Sequence, residues 1–379
     1  MDYLTGYKTD YFNDEIPSFI EPNSMRTQAH RLNGQWALQV NRPTIFLKDN
    51  LYIDSDWNSA RSNINGSMPL SQKAETPSFS VTNDLQLVKR IDDNLLTVSS
   101  RNRYYYKPHS LFVSGLENAV QDITSRDFRS VTEARYGCIF GRWRVYACGR
   151  VDFNYYDMMS NLTGLEFPHA MLNDMNFSLL NTYLAPEASY ESYKWKVILS
   201  VPTSYNLHHI RDKKADDNTT NNYVAVNPSL YMRHQINAKM ELSAQLRYLL
   251  MPPQAKMFIP GVIMTDFRNL CMTPPITDYS DTRSVTMTFK YRNPITSLFF
   301  NLTGQYEWSS NPYMTNQLFM DNYILSTISP TRNDDHSLIL NGSISKGLMS
   351  GRMTIGLDVG YIQMWDNAMR QNSISPYML

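Results

Sequence analysis

Two clusters in this 379-residue chain bring together side chains that bind metals or move protons: His208-His209 and Asp334-Asp335-His336. Both fall in polar stretches. Neighbouring residues of an extended strand point to opposite faces, so paired histidines there do not chelate one ion. No metal centre is expected from either cluster. The three cysteines, Cys138, Cys148 and Cys271, are odd in number and lack metal-ligand spacing. Cys138 and Cys148 flank one short turn, which leaves both a cross-strand contact and two separate thiols open. No glycine-rich phosphate loop opens a helix, and no Gly-x-Ser-x-Gly is present. Asn161-Leu162-Thr163 and Asn301-Leu302-Thr303 match the glycosylation sequon, the second inside an expected strand, and both are read as chance. The expectation is no enzyme, no catalytic residue, no cofactor and no metal, with ligand-binding residues unassigned.

Composition narrows the class. Lysine plus arginine is 35 and aspartate plus glutamate is 35, a formal charge of zero. That balance argues against a nucleic-acid partner, which calls for a basic excess. The charged fraction is 18%, below the roughly 25% of ordinary soluble domains. Aromatics make up 12%, with 25 tyrosines. Mean hydropathy is −0.41, as expected when polar lumen and loop residues dilute an apolar wall. No run of about 18 apolar residues is present to form a membrane helix.

What would position these side chains is a repeated hairpin. Seven short turns recur about every 50 residues: Asn41-Arg42-Pro43, Asp92-Asp93-Asn94, Phe140-Gly141-Arg142, Glu191-Ser192, Ile236-Asn237-Ala238, Asn293-Pro294-Ile295 and Gly347 to Gly351. Runs alternating apolar and polar residues flank each. In Met240 to Leu250, Met240, Leu242, Ala244, Leu246, Tyr248 and Leu250 oppose Glu241, Ser243, Gln245 and Arg247. Val285, Met287, Phe289 and Tyr291 share one face beyond the next loop, as do Leu298, Phe300, Leu302 and Tyr306 after their turn. Leu85, Leu87 and Val88 break the phase near Asp92, which predicts a bulge there. Many runs reach ten residues, the length of a tilted membrane strand and about twice a soluble one. Seven hairpins predict about fourteen strands: an all-β, antiparallel, up-and-down transmembrane barrel.

The long stretches between turns carry most prolines and Asp/Asn-rich pieces such as Lys213 to Asn218. They are assigned as external loops and the turns as periplasmic. Strand-end aromatics, including Trp57, Tyr104 to Tyr106, Tyr155-Tyr156, Tyr248, Trp308 and Trp365, suit the lipid–water boundary. Arg142, Arg144, Arg150, Lys194 and Lys196 sit on polar faces near turns. They are read chiefly as lumen solvation and boundary snorkelling, with a lumen ring or plug contact as the sharper option. The expected division is an N-terminal loop segment over 1–24, barrel hairpins over 25–366 and a loop-like tail over 367–379.

Asn227-Pro228-Ser229-Leu230-Tyr231 through Leu246-Arg247-Tyr248, and Asp335 through Asp366, resemble the barrel of TonB-dependent receptors, chiefly the SusC-like and carboxypeptidase-regulatory-like group. The hairpin at Gln235-Ile236-Asn237-Ala238-Lys239 is similar to that family's periplasmic turns, and Gly261 to Leu270 to one of its loops. The resemblance implies an outer-membrane importer of a glycan or peptide in a Gram-negative cell, part of a 22-stranded barrel. It also implies outer-membrane lipid around the wall and, in a full-length form, TonB and a SusD-like lipoprotein as partners. The family's plug has no counterpart before Met25, and Met1-Asp2-Tyr3-Leu4 opens no signal peptide, so the chain is read as a fragment. The other readings are a complete fourteen-stranded passive channel and a soluble seven-bladed propeller.

Overall fold

The structure is a computed structural model that describes residues 2–9, 19–64, 70–92, 94–115, 118–167, 169–252, 258–274, 278–320, 323–348 and 353–378. Among these, every regular element is a β-strand, and all belong to one sheet. In chain order they are β1 (Asp2–Thr9), β2 (Phe19–Arg42), β3 (Ile45–Ile64), β4 (Leu70–Glu75), β5 (Ser78–Ile91), β6 (Asn94–Ser114), β7 (Ala119–Phe140) and β8 (Trp143–Thr163). Then come β9 (Leu172–Glu191), β10 (Trp195–Ser200), β11 (Thr203–Asp212), β12 (Asp217–Val226), β13 (Ser229–Asn237), β14 (Met240–Met251), β15 (Ile259–Met264) and β16 (Asn269–Thr273). The last are β17 (Ser280–Asn293), β18 (Leu298–Asn311), β19 (Met314–Met320), β20 (Tyr323–Ser329), β21 (Asn333–Leu348), β22 (Met353–Arg370) and β23 (Ser373–Met378). A single continuous sheet excludes the propeller, which needs separate four-stranded blades.

Among the described residues the wall strands number about fourteen, as expected, once proline is considered. Three wall strands are each split in two, at Thr76-Pro77, Val201-Pro202 and Asn227-Pro228. Proline has no N–H for the ladder, so regular pairing lapses while the chain keeps its direction. Thus β4–β5, β10–β11 and β12–β13 each act as one long strand. With β2, β3, β6, β7, β8, β9, β14, β17, β18, β21 and β22 they make fourteen wall strands, each paired antiparallel with the next. The other segments belong to the long-loop end.

Six of the seven short turns join strands at or next to the expected residues. Asp92 takes a left-handed φ of 52° and Gly141 one of 59°. Asp93 lies outside the described residues. So do residues 349–352 of the seventh turn, between β21 and β22. The bulge expected near Asp92 is absent, because β5 and β6 pair without a break from Phe79↔Tyr106 to Ile91↔Asn94. Leu85 and Leu87 share the lipid-facing side and Val88 faces the lumen. The register shift occurs instead at Gln235/Asn237. There the Asn237 carboxamide accepts from the Lys239 and Met240 amides at 2.8 and 3.0 Å, closing the turn in place of a ladder pair.

Register fixes the two faces across strands. Leu246 lies opposite Leu230 and Val285, and Val285 opposite Tyr306. Gln245 lies opposite Thr286, and Thr286 opposite Gln305. The first set faces lipid and the second the lumen. On the lumen side the Tyr146 ring covers Gly137, where a Cβ would fall 2.4 Å from ring carbons, and the Arg135 guanidinium stacks on that ring at 4.3 Å. Gly137→Val is expected to lower stability by about 1–3 kcal/mol through this overlap. Adding Tyr146→Ala should relieve part of that cost. Denaturant unfolding of single and double variants in detergent measures the coupling.

Two expectations about the ends and loops change. Residues 1–24 do not form a simple loop, since β1 pairs with the start of β2 from Asp2↔Arg26 to Thr9↔Phe19. Residues 10–18 lie outside the described set. The tail over 367–379 likewise contains β23, paired with β22 from Trp365↔Met378 to Arg370↔Ser373. Much of the expected loops at Lys107 to Ser130, Met158 to Leu179 and Leu207 to Asn222 is also paired strand. Water-exposed ribbons satisfy their backbone just as membrane strands do, so polar composition alone did not separate loop from strand.

Among the described residues, nothing pairs with the outer edge of β2 over Gln28–Arg42 or of β22 over Met353–Ile362. Every residue from Met353 to Ile362 is exposed, on both faces. Lipid cannot satisfy such backbone groups.

Candidate functional site

The strands β6 to β9 are 20 to 22 residues long, about twice what a bilayer needs. Their outer halves therefore stand above the membrane. On these halves the inward face changes character. Below, it is polar; above, it presents Leu111, Val113, Ala119, Met158, Leu162, Met175 and Phe177, all buried. An apolar inner face above the membrane needs a cover, and residues 258–274 supply it. Phe258, Val262, Ile263, Met264 and Leu270 pack into this patch, with Phe258 stacked on Phe177 at 5.3 Å between centroids.

Three amides on the wall fasten this loop. Asn173 accepts from the Gly261 amide at 2.6 Å and donates to the Gly261 carbonyl at 3.2 Å and to Ser160 Oγ at 2.7 Å. Gln121 accepts from the Met264 amide at 3.0 Å, and Gln72 from the Phe267 amide at 2.9 Å. Position 261 suits glycine, because a Cβ there would lie within 3.0 Å of the Leu172 and Ala170 carbonyls. The latch then continues sideways. β16 pairs parallel with β20, β20 antiparallel with β19, and β19 parallel with the outer end of β22. A strap of loop strands thus links the outer ends of β8 and β9 to that of β22.

Beside the latch lies a ledge of polar groups on the inner face. Asn181, Asn206 and Tyr223 are neighbours in register across β9, β11 and β12. Asn206 is 1% exposed and His208 3%. The Asn181 and Asn206 carbonyl oxygens, His208 Nε2 and the Tyr223 hydroxyl are all buried without a hydrogen-bond partner among the described residues. Phe177 meets the His208 ring edge-on at 5.8 Å, and Tyr223 packs on Tyr279 at 3.7 Å. Burial pushes the His208 imidazole down to about 4 and Tyr279 up to about 12. These orphaned acceptors lie closed to solvent beside aromatic faces, and opening the latch would offer them to a ligand rich in O–H or N–H donors.

Latched, the His208 imidazole stays neutral down to about pH 4; opened to water, it takes a proton near 6.5. Opening should therefore become easier as pH falls from 6.5 to 4, by at most about 1.4 kcal/mol per unit, and level off below. Amide exchange over 259–264, corrected for its intrinsic pH dependence, should accelerate over that window, and His208→Phe should remove the dependence.

His208 faces inward, while His209 is on the other face with Thr220 at 3.0 Å. Asp335 and His336 likewise split: Asp335 accepts from Asn311 at 3.0 Å, and His336 stacks on Trp308 at the outer aromatic boundary. Cys138 and Cys148 are free thiols on opposite faces. No cluster of three metal-ligating side chains occurs among the described residues. Arg144 and Lys196, with Arg233, surround Glu191 at 3.6 to 3.8 Å near the short-turn end. Arg150 joins Arg129 on Asp152 at 3.0 and 2.8 Å, higher in the lumen wall. Arg142 and Lys194 lie in turns. The latching Gln72, Gln121 and Asn173 carried no signal in sequence.

No family model and no curated protein matches the chain. Solved structures do. The ferric citrate transporter FecA, in its unliganded form, is similar with a TM-score of 0.54 at 9% identity, covering 91% of this chain and 57% of its own. The copper transporter OprC gives 0.56 at 10% identity, covering 92% and 62%. The ferric yersiniabactin uptake receptor FyuA from Yersinia pestis gives 0.52 at 7%, covering 92% and 65%. These likenesses place the chain in the fold class of large transmembrane β-barrels. It spans only about three-fifths of the length of these structures.

Proposed function

We propose that this chain forms wall strands and external loops of a TonB-dependent importer in the outer membrane of a Gram-negative cell, taking up a glycan or peptide too large for passive pores. The latched loop over an inward-facing ledge of unpartnered acceptors is the observation that carries the reading. It suits a receptor that captures a polar cargo before passage, with no bond made or broken. The fold likeness to two transporters and an uptake receptor supports it. The domain division is barrel hairpins over 25–366, flanked by ribbons belonging to external loops. TonB and a SusD-like surface lipoprotein would be partners of the full-length protein.

The edges of β2 and β22, unpaired among the described residues, weigh against a self-sufficient fourteen-stranded channel. Closing a barrel from these edges takes either their direct pairing or further strands between them. Any bridging strands come in even number, because β2 runs toward the short-turn end and β22 away from it. The test is uptake of labelled oligosaccharides and oligopeptides by cells carrying the full-length protein, with and without an uncoupler. Energy-dependent uptake of either class, lost on deleting residues 258–274, supports the proposal. Uptake unaffected by the uncoupler would point to a passive pore instead.

A further inference from the structure

The lumen wall is electrically lopsided. On the inward-facing parity of β6, β7 and β8 stand Arg101, Arg103, Lys107, Arg129, Arg135, Arg144 and Arg150, against the carboxylates Asp127, Glu133 and Asp152. On the same parity of β18 and β21, and of β22 up to Asp366, the charged residues are Glu307, Asp335, Asp358 and Asp366, every one acidic. The two walls are separated by several strands of the arc, so a field runs from one to the other inside the lumen. Low-dielectric walls concentrate such a field.

On the basic wall lies a concavity of about 590 Å³ lined by Lys48, Arg101, Arg103, Arg129 and Arg150, with Asp84 and Glu133. Some of this charge is spent internally. Arg101 is fixed by both oxygens of Asp84, and Arg129 and Arg150 share Asp152. Lys48 and Arg103 have no ion-pair partner among the described residues, and Arg103 rests on the Tyr105 ring at 5.0 Å. The fixed pairs hold their guanidiniums rigid, while the two free cations remain available to an anion.

We infer that this groove is the seat of a carboxylate carried by the cargo. Lys48 and Arg103 supply the charge-assisted contacts, and the acidic wall opposite orients the molecule carboxylate-first toward β6–β8. This rests on the importer reading and sharpens it, since a neutral glycan would gain nothing from the arrangement. The same carboxylate chemistry could come from a peptide C-terminus or from an acidic sugar.

Titration calorimetry of the full-length protein in detergent, at about 20 and 300 mM salt, separates these. The probes are trialanine, trialanine amide, trigalacturonate and neutral galactotriose. At least one carboxylate form should bind about tenfold tighter than its neutral counterpart, with the difference shrinking at high salt. Trialanine alone showing this identifies a peptide source, trigalacturonate alone an acidic glycan, and either supports the inference. Lys48→Gln and Arg103→Gln should each abolish the preference while leaving thermal unfolding unchanged. Equal binding of charged and neutral forms, preference for galactotriose, or no binding of any probe would overturn it. Galactotriose binding with energised uptake intact would overturn the carboxylate seat alone and leave the importer standing.

Discussion

Arginine in place of Leu246 is expected to destabilise the fold in a bilayer by about 2–4 kcal/mol; in place of Phe300, the third residue of β18 beside its short turn, by about 1 kcal/mol; and in place of Gln245 or Thr303 by less than either. Leu246 is flanked in register by Leu230 and Val285, and Phe300 by Tyr291 and Ile344, so each lies in an apolar row facing hydrocarbon. Gln245 and Thr303 face water across the same backbone. Thr303 already exchanges a hydrogen bond with Thr288 at 3.2 Å on that polar side. The readout is the urea midpoint of the reconstituted full-length protein, with all four variants compared in one lipid.

Asn173→Leu is expected to release the latch. Its carboxamide is 3% exposed and holds both backbone groups of Gly261. Leucine fills the space but leaves a buried N–H and C=O without partners, at about 1–3 kcal/mol each. The expected result is faster amide exchange over 259–264, by a factor of at least about ten, with little change in the amides of β14, β17 and β18. Gly261→Val should act similarly from the other side, because its side chain would press on the Leu172 and Ala170 carbonyls. If both variants exchange like the parent, the loop is held by apolar packing alone.

Much of the wall was legible in the sequence, and the reason is geometric. A strand has a period of two, so Met240 to Leu250 shows which side chains face lipid without knowledge of neighbours. Turn residues such as Gly141 and Asn293-Pro294 mark the short ends for equally local reasons. What was missed is non-local. Pro77, Pro202 and Pro228 resemble loop signals in sequence, yet each sits in a continuing wall strand, because the chain resumes pairing beyond it. The ribbons above the membrane share the polar composition of loops. The latch joins Gln121 to Met264 and Asn173 to Gly261, partners 143 and 88 residues apart. His208 shows the same limit. Alternation separates it from His209, but only the packed structure reveals that Phe177 and Tyr223 enclose its ring.

This sheet is a membrane wall with one face in lipid and one in water. Single cysteines at each position from Glu241 to Leu249, in a full-length protein with Cys138, Cys148 and Cys271 replaced by serine, test it most directly. In reconstituted bilayers, a membrane-impermeant thiol reagent should label 241, 243, 245 and 247 quickly, and 242, 244 and 246 at least about tenfold more slowly. Labelling at one uniform rate along the strand, or fast labelling of the even positions, would mean that the sheet does not divide lipid from water in this way.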